Sequence, residues 1–176
     1  MKKITKQMNI KEFAIYVAGE LKKSGIDVIL TGGAVVSIYS NNKYVSNDLD
    51  FLSSSDHQKI TDAMLALGFK SEGKDFHHPH SIFYVEFPGR TLVIGDSPMQ
   101  PEGEIKEGAF RLKLLSPTQC VMDRLAAFFH WKDRQSLDQA VLVAKSHPVK
   151  FKDLEKWSAS EGMLDKYKTF LNELKS

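Results

Sequence analysis

Residues 26–39, IDVILTGGAVVSIY, carry an apolar strand-like segment straight into a glycine pair and then into an apolar segment of helical character. A strand that becomes a helix with only Thr31-Gly32-Gly33 between them needs backbone angles that side chains rarely allow, and glycine supplies them. It also leaves the first amides of the helix pointing outward, where they can hold an anionic oxygen. After a polar stretch over 41–47, Asp48–Leu52 alternates, with Leu49 and Phe51 on one side and Asp48, Asp50 and Leu52 on the other. That period of two suits a strand with one buried face and one face at the edge of a pocket.

The other segments fit the same layered plan. Residues 10–24 place Phe13, Ile15, Tyr16 and Leu21 on a broad helical stripe that the KSG at 23–25 ends. Ser55 or Asp56 caps a helix in which Ile60, Ala63, Met64 and Leu67 keep the helical period up to Gly68. SIFYVEF reads as a strand, Pro88-Gly89 as a turn and TLVIG as the returning strand, so a hairpin is expected there. SPMQPEGEIKEG reads as turn-rich, and 110–115 as a last strand. Ser116-Pro117 marks a boundary, because proline suits a first helical turn. Four helices are expected beyond it, over 117–130, 134–145, 151–159 and 163–175, with Pro148 and Gly162 among the breaks. The expected class is α/β: a core with a mixed β-sheet flanked by helices over 1–115, and a helical region over 116–176 that packs on it.

A chain of 176 residues, 42% hydrophobic, can bury one good core. Its apolar runs fall short of the roughly 18 to 20 residues of a membrane span. Lysines 2, 3 and 6 lead into Lys11 and Glu12 rather than into an apolar run, so no secretory signal is expected and the chain is placed in the cytoplasm, away from membranes. The net charge of +2 gives no global argument for a polynucleotide partner. Lys145, Lys150, Lys152, Lys156, Lys166 and Lys168 alternate with acids and read as a solvated helical face. The single cysteine, Cys120, lies among apolar residues and reads as a small buried hydrophobe.

Chemistry concentrates on three acids. On a strand, Asp48 and Asp50 project from one face roughly 6 to 7 Å apart, a repulsive arrangement without a cation. A hard divalent ion, Mg²⁺ or Mn²⁺, removes the repulsion and takes oxygen ligands. Glu86 interrupts the apolar run SIFYVEF, sharing a face with Tyr84 and Pro88. If its strand lies beside DLDFL, three carboxylates converge, enough to bridge two metal ions in a phosphoryl-group transfer. Thr31 either adds its hydroxyl to this site or caps the helix.

The order strand, glycine pair, helix, D-x-D strand, later acidic strand resembles the nucleotidyltransferase superfamily of the DNA polymerase beta type, in its minimal members. LTGGAVVSIYSNNKYVSNDLDFL is similar to that signature, with Gly32 and Gly33 at the glycine pair, Asp48 and Asp50 at the paired acids, and Glu86 at the third. Fourteen residues separate Gly33 from Asp48, slightly more than usual for the family. Leu115-Ser116-Pro117 with CVMDRLAAFFHWKDRQSLDQAVLVA resembles the helical region of AbiEii-like toxin nucleotidyltransferases. There Arg124 stands for a basic residue that is usually Lys, Arg134 and Asp138 for the outer members of an R-D-x-x-D stretch, and Gln135 for its inner Asp. The likeness spans roughly residues 12 to 145.

The resemblance implies Mg²⁺-dependent transfer of a nucleoside monophosphate from an NTP to a hydroxyl of RNA, protein or a small molecule, in a toxin-antitoxin or phage-defence setting. In it Thr31, Gly32, Gly33, Arg124, Arg134 and Asp138 surround the nucleotide, and the region 116–176 shapes the acceptor cleft. The alternative is a transferase-like protein without turnover, such as an antitoxin partner. A homodimer or a cognate antitoxin would be the protein partner.

Some residues have competing readings. Arg124 either meets a nucleotide phosphate or pairs with Asp123 or Asp133. Arg134 and Asp138 stand four apart on a helix and can pair with each other. His77, His78 and His80, with Asp75, resemble a metal cluster by composition, but their spacing is unlike a zinc site and they read as a polar loop, with one histidine open to lining an acceptor pocket. Trp131 and Trp157 read as packing residues.

Overall fold

The protein, seen in a computed structural model, is described over residues 3–176. Met1 and Lys2, the latter one of the N-terminal lysines weighed above, lie outside the described residues. The first helix, α1 (Ile10–Lys23), starts at Asn9, whose side chain accepts from the Glu12 amide at 2.9 Å while Glu12 accepts from the Asn9 amide at 3.0 Å. There follow β1 (Ile29–Thr31), α2 (Gly32–Tyr39), β2 (Asp48–Leu52), α3 (His57–Ala66), β3 (Lys70–Glu72), β4 (Asp75–His77) and β5 (Tyr84–Gly89). Then come β6 (Val93–Ile94), β7 (Ser97–Pro98), β8 (Gly103–Glu107), β9 (Phe110–Leu114), α4 (Pro117–Trp131), α5 (Arg134–Ser146), α6 (Phe151–Ser160) and α7 (Leu164–Lys175).

Among the described residues, seven strands form one mixed sheet in the order β3-β4-β5-β2-β1-β9-β8, and β6 and β7 pair separately. β2 runs antiparallel to β1 and parallel to β5. One face of this sheet carries Leu30, Leu49, Phe51, Phe76, Val85, Leu112 and Leu114, all buried in a cluster with Phe13 and Leu21 of α1 and Ile60 and Met64 of α3. Strand alternation then forces Asp48, Asp50 and Glu86 onto the opposite face.

Hydrogen bonds tie α4 and the end of α5 to the segments that flank the sheet. Ser116 and Gln119 make the capping box that opens α4, with Pro117 at its first position. Buried Gln119 also accepts from the Glu102 amide at 2.9 Å and donates to the Gln100 carbonyl at 2.6 Å. Tyr39, at the end of α2, donates to the Leu115 carbonyl at 2.7 Å, and His147 bonds the Tyr39 carbonyl at 2.7 Å. No helix among the described residues is long and apolar enough to cross a membrane.

The structure corrects the expected hairpin over 81–94. β5 begins at Tyr84 and continues through Pro88 and Gly89, pairing with β2 and β4, while Val93–Ile94 pairs with β7. The register between β2 and β5 shifts between Asp50 and Leu52, where proline costs least. Gly89 serves close approach rather than a turn: a Cβ there would stand 3.2 Å from Leu52 Cδ2. The turn-rich reading of SPMQPEGEIKEG also gives way, because Gly103–Glu107 is the edge strand β8, whose charged residues suit an exposed edge. His77 stands on β4 rather than in a loop. Trp157 packs on Phe129 with ring centroids 5.5 Å apart, whereas Trp131, the last residue of α4, is 82% exposed and packs little.

Candidate active site

Gly32 sets the geometry of the site. Its φ of +71° lies in the left-handed region, and a Cβ there would come within 2.3 Å of Asp50 Oδ2. Glycine thus lets the α2 N-terminus and the Asp50 carboxylate share a space that alanine would fill. Thr31 Oγ1 donates to the Asp50 carbonyl at 3.1 Å, fastening β1 to β2, and makes no cap to α2. At Gly33 an added Cβ would meet Ser46 and Tyr44 at 3.2–3.4 Å, a mild crowding.

Asp48 is held by Ser46, whose hydroxyl donates to Asp48 Oδ1 at 2.7 Å. The Ser46 amide donates to Ser37 Oγ at 2.9 Å, and the Ser37 hydroxyl donates to the Gly33 carbonyl at 3.3 Å. This buried serine chain connects the glycine turn to the first aspartate through a segment that the sequence presents only as a polar loop.

The parallel pairing of β2 with β5 sets Asp48 opposite Tyr84 and Asp50 opposite Glu86. The three acids therefore stand on adjacent strands and one face. Burial, with the charges of Asp48 and Glu86, pushes the Asp50 carboxyl up to about 6, against the pull of Arg124. Lys74, from the β3–β4 turn, reaches Glu86 Oε2 at 3.0 Å, and that hydrogen bond, with the charge of Glu86, raises the lysine in return. Asp75 pairs in register with Glu86 on the far side, and its Oδ1 is buried without a hydrogen-bond partner. Among the described residues, no three acidic, His or Cys side chains already stand as a ready metal cage.

Arg124 lies on α4, largely buried, with two nitrogens on Asp123 Oδ2 at 2.5 and 3.0 Å and a third contact to Gln139 Oε1 at 3.3 Å. Burial works against its charge, but Asp123 outweighs burial and holds the guanidinium firmly protonated. Its charge is also felt at Asp50, which puts it near the acids. Arg134 and Asp138 stand apart from this group. They pair with each other at 3.3 Å, Arg134 also meets Glu173 at 3.0 Å, and these side chains are largely exposed.

Lys74, Asp75 and Ser46 are the neighbours that the sequence did not place at this site. The polar alternation of KSEGKDFH around Gly73 is the signal for the short β3–β4 hairpin that brings the first two in.

Residues 10–77 match the family described as nucleotidyl transferase of unknown function (DUF2204), a span that includes Gly32, Gly33, Asp48 and Asp50 and stops before Glu86. No curated protein matches the chain. Among solved structures, the chain is similar to an antigenic nucleotidyltransferase-like protein from Paracoccidioides brasiliensis, with a TM-score of 0.56 and 16% identity over 79% of this chain and 77% of that one. The fold is nucleotidyltransferase-like.

Proposed function

We propose that this chain is a nucleotidyltransferase that uses Mg²⁺, or Mn²⁺ in its place, to move a nucleoside monophosphate from an NTP to an acceptor hydroxyl. The observation that carries the reading is the adjacency of Asp48, Asp50 and Glu86 to a helix N-terminus whose first residue must be glycine for Asp50 to fit. The donor set is all carboxylate oxygen, which suits a hard divalent ion and not a soft one. Asp48, Asp50 and Glu86 would hold it. When bound, such an ion neutralises the triphosphate and makes the attacking hydroxyl easier to deprotonate.

The chain's own groups do the rest. The amides at Gly32 and Gly33 receive the triphosphate oxygens. Arg124, fixed by Asp123, faces the same space with a permanent positive charge. Ser46 keeps Asp48 aimed at the cleft. In the transfer, the acceptor oxygen bonds to the α-phosphorus and the bond from that phosphorus to the bridging oxygen breaks. Pyrophosphate leaves with the electron pair, and the hydroxyl proton passes to the Glu86 carboxylate.

A second reading, a non-catalytic partner such as an antitoxin, draws on Gln135 replacing an acid and on Arg124 being engaged with Asp123. A toxin-antitoxin setting, a homodimer and an RNA, protein or small-molecule acceptor all belong to the proposal. The test is incubation with each NTP labelled on its α-phosphate, Mg²⁺, and total cellular RNA, protein or small-molecule extract. Transfer of label to one fraction with pyrophosphate release, abolished in Asp48→Ala, supports the enzyme. Tight Mg²⁺-dependent NTP binding with no transfer to any fraction favours the non-catalytic reading.

A further inference from the structure

The strand register speaks to the acceptor. In displacement at phosphorus the attacking and leaving oxygens lie roughly in line. The Gly32 and Gly33 amides, assigned above to the triphosphate, lie at the β1 flank of Asp48 and Asp50. The hydroxyl then has to arrive over the opposite flank, across β5, β4 and β3. Two rows cross that flank on the face of the acids. One runs Asp50, Glu86, Asp75, Glu72, and the other Asp48, Tyr84, His77, Lys70.

The second row places an acid, two rings and a cation in sequence across three strand spacings, roughly 14 Å. The rings of Tyr84 and His77 stack with centroids 5.0 Å apart and planes 23° from parallel, and the His77 side chain is 39% exposed. A half-buried ring pair one strand from a reacting carboxylate offers π faces to whatever carries the hydroxyl. With Glu86 given to the divalent ion, as proposed above, the charges left beside the pair nearly cancel, Asp75 and Glu72 standing against Lys74 and Lys70. Selection on this flank therefore falls to ring stacking rather than to a counter-charge for a polycation or a long polyanion.

We infer that Tyr84 and His77 form the acceptor platform, and that the acceptor is nucleoside-like, its hydroxyl one sugar away from a flat ring. Tyr84 stacks on that ring, His77 braces Tyr84, and Lys70 meets an anion beyond it. This inference rests on the nucleotidyl-transfer reading.

The test uses the full chain saturated with Mg²⁺ and an NTP analogue bridged by methylene between its α- and β-phosphates. Calorimetry then follows binding of the dinucleoside monophosphate ApA, with the amino sugar kanamycin as the comparison. Stacking on one side chain is expected to weaken ApA binding by about tenfold in Tyr84→Ala, while Tyr84→Phe stays within about threefold of wild type. The analogue should bind all variants alike, which also shows that they fold. Because few phosphates are involved, the ApA affinity should change little with salt. Equal ApA affinity in wild type and Tyr84→Ala, no ApA binding to the loaded protein, or preferential binding of kanamycin each overturns the platform. Failure of the wild type to bind the Mg²⁺-analogue at all instead removes the nucleotidyl-transfer reading, and the platform falls with it.

Discussion

Asp50 is a largely buried carboxyl flanked by two more acids, and the metal-free protein should carry the cost of its charge. A carboxyl raised from an ordinary 3.8 to about 6 by burial, Asp48 and Glu86 corresponds to about 3 kcal/mol, at about 1.4 kcal/mol per tenfold change in proton affinity. Partial contact with solvent and loss of the attraction to Arg124 bring the expected gain from Asp50→Asn to about 1–2 kcal/mol. The sign follows from proton linkage. The folded chain holds this proton more tightly than the unfolded chain, so the associated stability is fully present below pH 3.8 and lost as the pH rises through about 6. The asparagine variant should therefore match wild type near pH 4, pull ahead across pH 4 to 6, and keep a constant lead above that. Urea denaturation in EDTA at pH 4, 5, 6, 7 and 8 measures the difference, which at neutral pH corresponds to roughly 2–8 °C in Tm for a chain of this size. An Asp50→Asn variant less stable than wild type at pH 7, or a lead independent of pH, would refute the account of Asp50 as a strained, metal-ready charge.

Gly32→Ala should lose about 2–4 kcal/mol, from the positive φ and the 2.3 Å approach to Asp50, together with Mg²⁺-dependent nucleotide binding. Gly33→Ala, with only 3.2–3.4 Å contacts, should cost under about 1 kcal/mol in the same melts. Ser46→Ala removes the 2.7 Å bond that aims Asp48 and should weaken Mn²⁺ binding, read by electron paramagnetic resonance, by about tenfold. Glu161, 1% exposed, accepts from the Asp96 amide at 2.9 Å and meets His130 at 3.1 Å. Glu161→Ala should lower stability by about 2–3 kcal/mol in urea while leaving nucleotide affinity per folded molecule unchanged.

The parts of this fold that were legible in the sequence are those whose signal is local. Asp48–Leu52 shows its two faces within five residues, and the structure keeps those bounds. The α4 start is written in Ser116-Pro117. Glu86 stood out because a charge inside SIFYVEF needs an exposed face. Its neighbour was not legible, because a parallel partner such as β2 is chosen by long-range packing that no local pattern records. Pro88-Gly89 misled for the opposite reason: the dipeptide is a strong turn signal, and long-range pairing of Gly89 with Leu52 of β2 overrode it. β3, β4 and β8 are short or charged edge strands, so Lys74, Asp75 and the Tyr84–His77 row came into view only through the ladder. Trp131 misled because bulk alone implied packing, while its place at the end of α4 turns it outward.

The central claim is that Asp48, Asp50 and the Gly32 turn form one divalent-ion and nucleotide site, and calorimetric titration of each NTP, with Mg²⁺ and with EDTA, tests it most directly. The wild-type chain and Asp48→Ala/Asp50→Ala are compared side by side. Binding that requires Mg²⁺, selects among the NTPs and vanishes in the double variant is the expected result. Nucleotide binding indifferent to Mg²⁺ and to both substitutions, or none by a folded wild type, would contradict it.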